Sequence, residues 1–405
     1  MTYPLPGSPD WRRVLWPGVA ALVAVMGISR FVYTPILPEM LATGALSLRD
    51  AGWVAAANFV GYLVGAMAAS LVHRRALRSV FARAGLAITL ATLAGMAVLD
   101  GTAAWMALRF VAGVGSAFSL VFVSIQVLER LTAIGQADRM IGLYAGVGVG
   151  IAGSSLLTLA AQHAGTGWPT WWAAAALLAA PFAWVAWRGA SDAVPVPVPV
   201  PAPAEGPARP ASDPPAPAGA PRAFTAAVLA YGLFGLGYVI HATYLPAMVR
   251  AAGYPPAAAT GIWVLVGLVA LPSAALWRRV ARRHGMRTAI ALCYAVEGVT
   301  ALVPLAGDSI VGAVVAAIGL GGTFMAVTGL ALPFVRSLDP ARAGRAIALM
   351  TAAFGVGQIV GPIAAAYLAD GAAAGANPFG PPSLLACAAL LAAAALMRPR
   401  FDSAR

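Results

Sequence analysis

Twelve runs of mostly apolar residues, each long enough to cross a bilayer as a helix, dominate this chain of 405 residues. Crossing the hydrocarbon takes about 20 such residues. The runs lie near 15–40, 51–72, 80–99, 102–128, 141–163 and 168–187, then near 223–249, 258–280, 288–306, 309–335, 344–369 and 382–397. Only 10% of residues are charged and 60% are hydrophobic, whereas soluble domains carry about 25% charged residues. Such a chain has no polar coat to wear in water, so a lipid bilayer is its expected surroundings. The fold class this predicts is an all-α membrane protein with twelve transmembrane helices in two six-helix pseudo-repeat bundles.

Arginine placement tests the count. The formal net charge is +12, and all 26 Lys plus Arg residues are arginine. They fall in short clusters between apolar runs, which is how topology is set, so no nucleic-acid partner is expected. With a cytoplasmic N-terminus, 22 of the 26 lie on the cytoplasmic side, among them Arg74, Arg75, Arg78 and Arg83 after the second run and Arg278, Arg279, Arg282, Arg283 and Arg287 after the eighth. Only Arg49 and Arg250 fall outside, and Arg30 and Arg109 lie within runs. A miscounted run would scramble this alternation. Both termini are therefore expected in the cytoplasm, in a multi-pass protein of the bacterial inner (plasma) membrane. No cleavable signal peptide is expected, because the first run is too long for an h-region and lacks a small-residue cleavage site.

Residues 189–222 form a Pro/Ala low-complexity stretch. Proline lacks the amide donor and favours extended conformations, so the segment reads as a spacer rather than a span. It divides the chain into 1–188, an N-terminal six-helix bundle, and 223–405, a C-terminal one. The halves repeat each other: aligning Gly27 on Gly235 also puts Leu37-Pro38 on Leu245-Pro246 and Met40 on Met248, and Trp53-Val54 matches Trp263-Val264. Parallel six-span repeats build one major class of secondary transporter, with the site between them near the midplane.

Over essentially its whole length the chain resembles the major facilitator superfamily. Arg109–Gly115 is similar to the fourth-span motif of that superfamily, and Trp277–Arg287 to the basic loop of its second half. Ala281 stands near the place of the loop's usual acidic residue, and the matching His73–Arg78 segment is degenerate too, so the usual salt-bridge gate is not carried over. More narrowly, Gly27–Pro38, Ala51–Ala66, Gly321–Leu332 and Thr351–Pro362 resemble the YbfB-like branch. The resemblance implies alternating-access transport and gives no ligand.

Charges within a membrane need a reason, since an arginine at helix centre costs roughly 2.5–3.5 kcal/mol even on lenient scales. Arg30 and Arg109 lie at similar depth on spans one and four, which both line the cavity in the resembled fold. Together they would clamp a carboxylate, sulfonate or phosphate; alternatively Arg109 is tied to backbone carbonyls. Glu297, midway along span nine, is a proton-coupling candidate, because a buried carboxylate can exchange protons. Span nine is peripheral in the resembled fold, so a tolerated, protonated or lipid-interface Glu297 is the reading preferred over coupling. His241 is open between packing residue and proton relay, and the repeat places it opposite Tyr33. Asn58, Tyr62, Tyr244, Thr323, Phe354 and Gln358 fall on spans expected to border the cavity, as ligand contacts or as helix–helix bonds. Glu39 and Glu129 are expected at the interfaces. Gly142, Gly146, Gly148, Gly150 and Gly153 in span five and Gly355, Gly357 and Gly361 in span eleven are expected to let helices approach and slide between the halves. Pro35, Pro38 and Pro246 should bend spans one and seven.

No cluster of His, Asp, Glu or Cys at catalytic or metal-ligand spacing is present, and Cys293 and Cys387 sit apart within apolar runs. An enzyme, a cofactor and a metal are therefore not expected. The sequence predicts a secondary active transporter that takes a small solute, best read as a small organic anion held by Arg30 and possibly Arg109, with ion or proton coupling and a monomer as the working unit. The competing reading is proton-coupled efflux of hydrophobic or cationic compounds.

Overall fold

The computed structural model describes residues 10–190, 220–305, 309–338, 343–373 and 377–398. Among these residues the regular structure is all helix, with no strand. The helices are α1 (Trp11–Leu22), α2 (Tyr33–Ala42), α3 (Leu48–Ser70), α4 (Arg75–Val98), α5 (Thr102–Ala133), α6 (Ala145–His163), α7 (Trp168–Gly189), α8 (Ala220–Ala251), α9 (Pro256–His284), α10 (Met286–Thr300), α11 (Ile310–Leu338), α12 (Ala343–Asp370) and α13 (Gly380–Leu396). Ten helical segments are long and apolar enough to cross a membrane, the first being Trp11–Ala42, which joins α1 and α2. The apolar helices α10 and α13 occupy the expected ninth and twelfth runs but are only 15 and 17 residues long. Most of the expected spacer, 189–222, lies outside the described residues; its last three belong to α8.

The first segment is not one regular helix. A π-helical stretch, Val23–Ile28, follows α1, and residues 29–32 turn before α2 begins. Pro35 accounts for one rung of this break. It has no N–H to offer the carbonyl of Phe31 four residues back, so the α-helical ladder cannot run through this point. The equivalent position in α8 is Thr243, and α8 continues unbroken past Pro246. The bend expected in both spans thus becomes a break in one. Carbonyls freed at membrane depth must find other donors, and that requirement shapes the site below.

Small residues set the helix spacing. A Cβ built on Gly113 would lie 2.7 Å from the amide nitrogen of Tyr62, and one on Gly115 would lie 2.6 Å from Ile88 Cγ2. The glycines after Arg109 therefore let α5 close on α3 with one face and on α4 with another. The glycines expected between the halves divide their work. Gly148 of α6 meets α9 and Gly355 of α12 meets α3, both across the two halves of the chain. Gly150 instead packs on Gly27, and Gly361 packs on Leu236 and Val239, each within its own half.

The two ends of the molecule differ. At the end carrying Arg278, Arg282 and Arg336, a cavity of about 810 Å³ lies between the halves, lined also by Asp138, Tyr144 and Thr328. At the arginine-poor end the halves are tied together. Thr34 Oγ1 donates to the Ala242 carbonyl at 2.6 Å, Gln162 Nε2 donates to Thr260 Oγ1 at 2.9 Å, and Arg49 Nε pairs with Asp370 Oδ2 at 2.7 Å. The structure is open at one end and closed at the other.

Candidate functional site

Arg109 and Arg30 lie close together and do different work. Arg109 is buried, and its Nη1 donates to the Ser29 carbonyl at 2.8 Å and its Nη2 to the Arg30 carbonyl at 3.1 Å. Trp263 Nε1, from the other half, donates to the next carbonyl, Phe31, at 3.3 Å. Three consecutive carbonyls of the broken first segment are thus met by side chains from α5 and α9. Asn58 completes this framework, its Nδ2 donating to the Arg109 carbonyl at 2.9 Å. Arg109 takes the backbone-carbonyl alternative left open by its sequence.

The Arg30 guanidinium has no such employment. It is 5% exposed and rests against the rings of Phe59 and Tyr62, with Cζ 4.7 and 4.5 Å from their centroids. Phe59 and Tyr62 are three residues apart on α3, so they share a face. Nη1 faces the Met26 sulfur at 4.0 Å, while Nε and Nη2 are buried with no hydrogen-bond partner. A cavity of about 10 Å³ lies beside it, lined by Tyr33, Thr34, Arg109, Ala242 and Thr243 as well.

Facing Arg30 from the second half is an aromatic array. Tyr231, Phe234 and Tyr238 of α8 stack with Phe354 of α12 at centroid distances of 4.6 to 5.9 Å, their planes within about 20°. Gln358 Nε2 donates to the Tyr238 hydroxyl. Tyr238 lies within electrostatic reach of Arg30 on one side and Glu297 on the other. Phe31 reaches across to Trp263 and Phe324 at 6.3 and 5.9 Å. Arg30, Tyr62, Phe354 and Gln358, expected from sequence, therefore do converge, around a residue the sequence reading passed over. Tyr238 was legible all the same: the offset that carries Gly27 onto Gly235 carries Arg30 onto Tyr238.

Glu297 points into the protein. It is 3% exposed, its Oε2 lies 2.6 Å from Thr323 Oγ1, and its Oε1 is buried without a partner. On α10 the exposed residues are Leu292, Val296 and Val299, so the apolar face meets lipid and the carboxyl faces inward. The lipid-interface reading of Glu297 does not hold. The remaining expected residues have their polar atoms directed elsewhere. The Tyr33 hydroxyl donates to the Ala51 carbonyl at 3.0 Å and the Tyr244 hydroxyl to the Pro362 carbonyl at 3.1 Å, while His241 is buried with Nε2 unpartnered. Tyr33 turns toward its own half. Glu129 pairs with Arg78 at 3.3 Å at the arginine-rich end. Among the described residues, no group of three or more His, Cys, Asp or Glu could hold a metal ion.

A helical fold with buried charges between the halves of the chain, open at one end, fits a membrane transporter, and the family model places it in the major facilitator superfamily. The chain belongs to the family described as uncharacterised MFS-type transporter YbfB, whose family model matches residues 22–398. It is a multi-pass membrane transport protein with a small-molecule substrate. Among solved structures it is similar to a mutant form of the nucleoside transporter NupG, with a TM-score of 0.71 and 12% identity over 96% of this chain and 99% of that one. At that identity the likeness concerns the fold. No curated protein matches the chain.

Proposed function

We propose that this protein is a secondary active transporter for a small organic anion, which it binds at Arg30 by alternating access between two six-helix bundles. In this reading α10 and α13 complete twelve spans, the stretch over 189–222 joins the bundles, and the arginine-rich end faces the cytoplasm of a bacterial cell. The working unit is one chain, since both halves of the site belong to it. The observation that carries the reading is the Arg30 guanidinium, buried with two unpartnered donors and, among the described residues, no ion pair. A buried charge left unpaired is costly, and a ligand charge offsets that cost when it arrives.

Proton coupling at Glu297 is the second part of the reading. The single hydroxyl proton of Thr323 cannot serve both Glu297 Oε2 at 2.6 Å and the Gly319 carbonyl at 2.7 Å. Both contacts are hydrogen bonds when the carboxyl carries a proton and donates it to Thr323. Tyr238, within reach of both Glu297 and Arg30, supports communication between proton and anion.

The stacked rings of α8 and α12 favour a second reading, efflux of hydrophobic compounds. A thermal-shift screen of the purified protein against carboxylates, sulfonates and cationic drugs separates the two, followed by uptake of the best ligand into proteoliposomes. Saturable uptake of an anion that is lost in Arg30→Gln supports the first. Stabilisation by cationic or neutral drugs alone, unchanged in Arg30→Gln, overturns it.

A further inference from the structure

The unpartnered atoms of Arg30 are not scattered over the guanidinium. They are Nε and Nη2, while Nη1 is turned to the Met26 sulfur. In a guanidinium, Nε–H and the adjacent N–H of Nη2 point in parallel from one edge, in the plane of the group. This side-on edge is a fork whose two donors match the two oxygens of one carboxylate. Phe59 and Tyr62 lie against the group, so an incoming head is directed to that edge. Arg109, the other buried arginine of the first half, has both terminal nitrogens committed to carbonyls. Arg109 is left with Nε alone unpartnered, so Arg30 supplies the pair of free coplanar donors, against the rings of Phe59 and Tyr62.

We infer that the substrate is a monocarboxylate with an apolar or aromatic body, gripped side-on by Nε and Nη2 of Arg30. This rests on the organic-anion reading and narrows it. A phosphate, phosphonate or sulfonate brings a third oxygen, which the two-donor edge cannot meet. An uncharged amide leaves the buried cation unbalanced. The carboxylate alone satisfies charge and donor count together.

Benzoate, benzenesulfonate, phenylphosphonate and benzamide share one ring and differ only in the head, so they isolate this choice. Binding of each to the full-length protein in detergent is measured by calorimetry at neutral pH, with Arg30→Gln and Arg30→Lys alongside. Benzoate is expected to bind, and the other three to bind about tenfold more weakly or not at all. Arg30→Gln should abolish benzoate binding. Arg30→Lys, which keeps the charge as a point and loses the fork, should weaken it by about tenfold or more. Since Arg30 makes no hydrogen bond to oxygen or nitrogen, both variants should fold, which monodispersity and thermal unfolding check. Benzenesulfonate or phenylphosphonate binding as tightly as benzoate, with the same loss in Arg30→Gln, overturns the carboxylate assignment and leaves the anion reading standing. Benzoate binding that is equal in wild type and Arg30→Lys also overturns the fork. If none of the four shows Arg30-dependent binding, the inference fails together with the anion reading.

Discussion

Thr34 donates its hydroxyl proton to the carbonyl of Ala242 across 2.6 Å, and the two residues stand 208 positions apart. The same offset carries Gly27 onto Gly235 and Pro38 onto Pro246. Two residues made equivalent by the repeat therefore touch one another, at the closed end and directly beside Arg30. Thr34→Val keeps the shape and removes the bond, a loss of about 1 kcal/mol from the closed state. With Cys293 and Cys387 replaced by Ala, labelling of Thr243→Cys by an impermeant maleimide should speed up roughly fivefold in the Thr34→Val background, the rate equivalent of that energy. An unchanged rate would show that this bond does not hold the closure.

The two intramembrane arginines should respond oppositely to substitution. Arg109→Gln strips charged donors from two buried carbonyls and should cost about 3 kcal/mol or more, since each such bond is worth about 1.5–3. Arg30→Gln removes a buried charge that has no polar partner and should leave the unfolding temperature unchanged or raise it. Thermal unfolding in detergent reads both. A larger loss at Arg30 than at Arg109 would reverse the assignment of structural and functional roles.

Arg49 and Asp370 join the two halves at the closed end, with side chains 56% and 41% exposed. An exposed pair contributes only about 0–1 kcal/mol, so its expected role is to bias the open–closed equilibrium rather than to hold the fold. Asp370→Arg, which sets like charges together, should raise the accessibility of Thr243→Cys with little change in unfolding temperature. Arg49→Asp combined with Asp370→Arg should restore it. A double variant as open as the single one would rule out the pair as a latch.

Within one glycine run on α6, two positions should behave differently. A Cβ on Gly148 would lie 2.7 Å from the Gly267 carbonyl across the halves, whereas at Gly153 its nearest neighbour would be Leu178 Cδ2 at 4.0 Å. Gly153→Ala should therefore be neutral in both stability and transport. Gly148→Val should force α6 and α9 apart and slow or stop transport, by overpacking that typically costs 1–3 kcal/mol. Equal effects at the two sites would show that glycine content, not this approach, matters.

Glu297→Gln preserves the shape and the contact with Thr323 but cannot exchange a proton. Anion counterflow, which needs no net proton movement, should persist in proteoliposomes. Accumulation driven by an imposed pH gradient should be lost. Retained gradient-driven accumulation would remove Glu297 from coupling.

Much of this was legible along the chain. The cost of charge in hydrocarbon confines arginine to one end of alternate spans, and that pattern, with the repeat offset, gave the order and equivalence of the helices. Pro35 marked the place where the first span breaks, because a missing N–H is a local fact. Tyr238 was within reach of the same offset and went unread. The role of Arg109 was not legible: the carbonyls it meets lie 79 and 80 residues away, and either ligand or backbone fits an arginine read in isolation. The direction of Glu297 was not legible either: a peripheral span has an inner and an outer face, and only packing shows that the carboxyl takes the inner one.

The sequence by itself determined that this chain is a membrane-embedded helical transport protein, because hydrophobic length and arginine bias are properties of the chain read in order. Only the tertiary structure decided which buried arginine is spent and which is free. That depends on where a guanidinium edge comes to rest against carbonyls and rings from distant segments. Packing of α3, α5 and α9 around one broken turn settles it: the break employs Arg109 and leaves Nε and Nη2 of Arg30 without a partner.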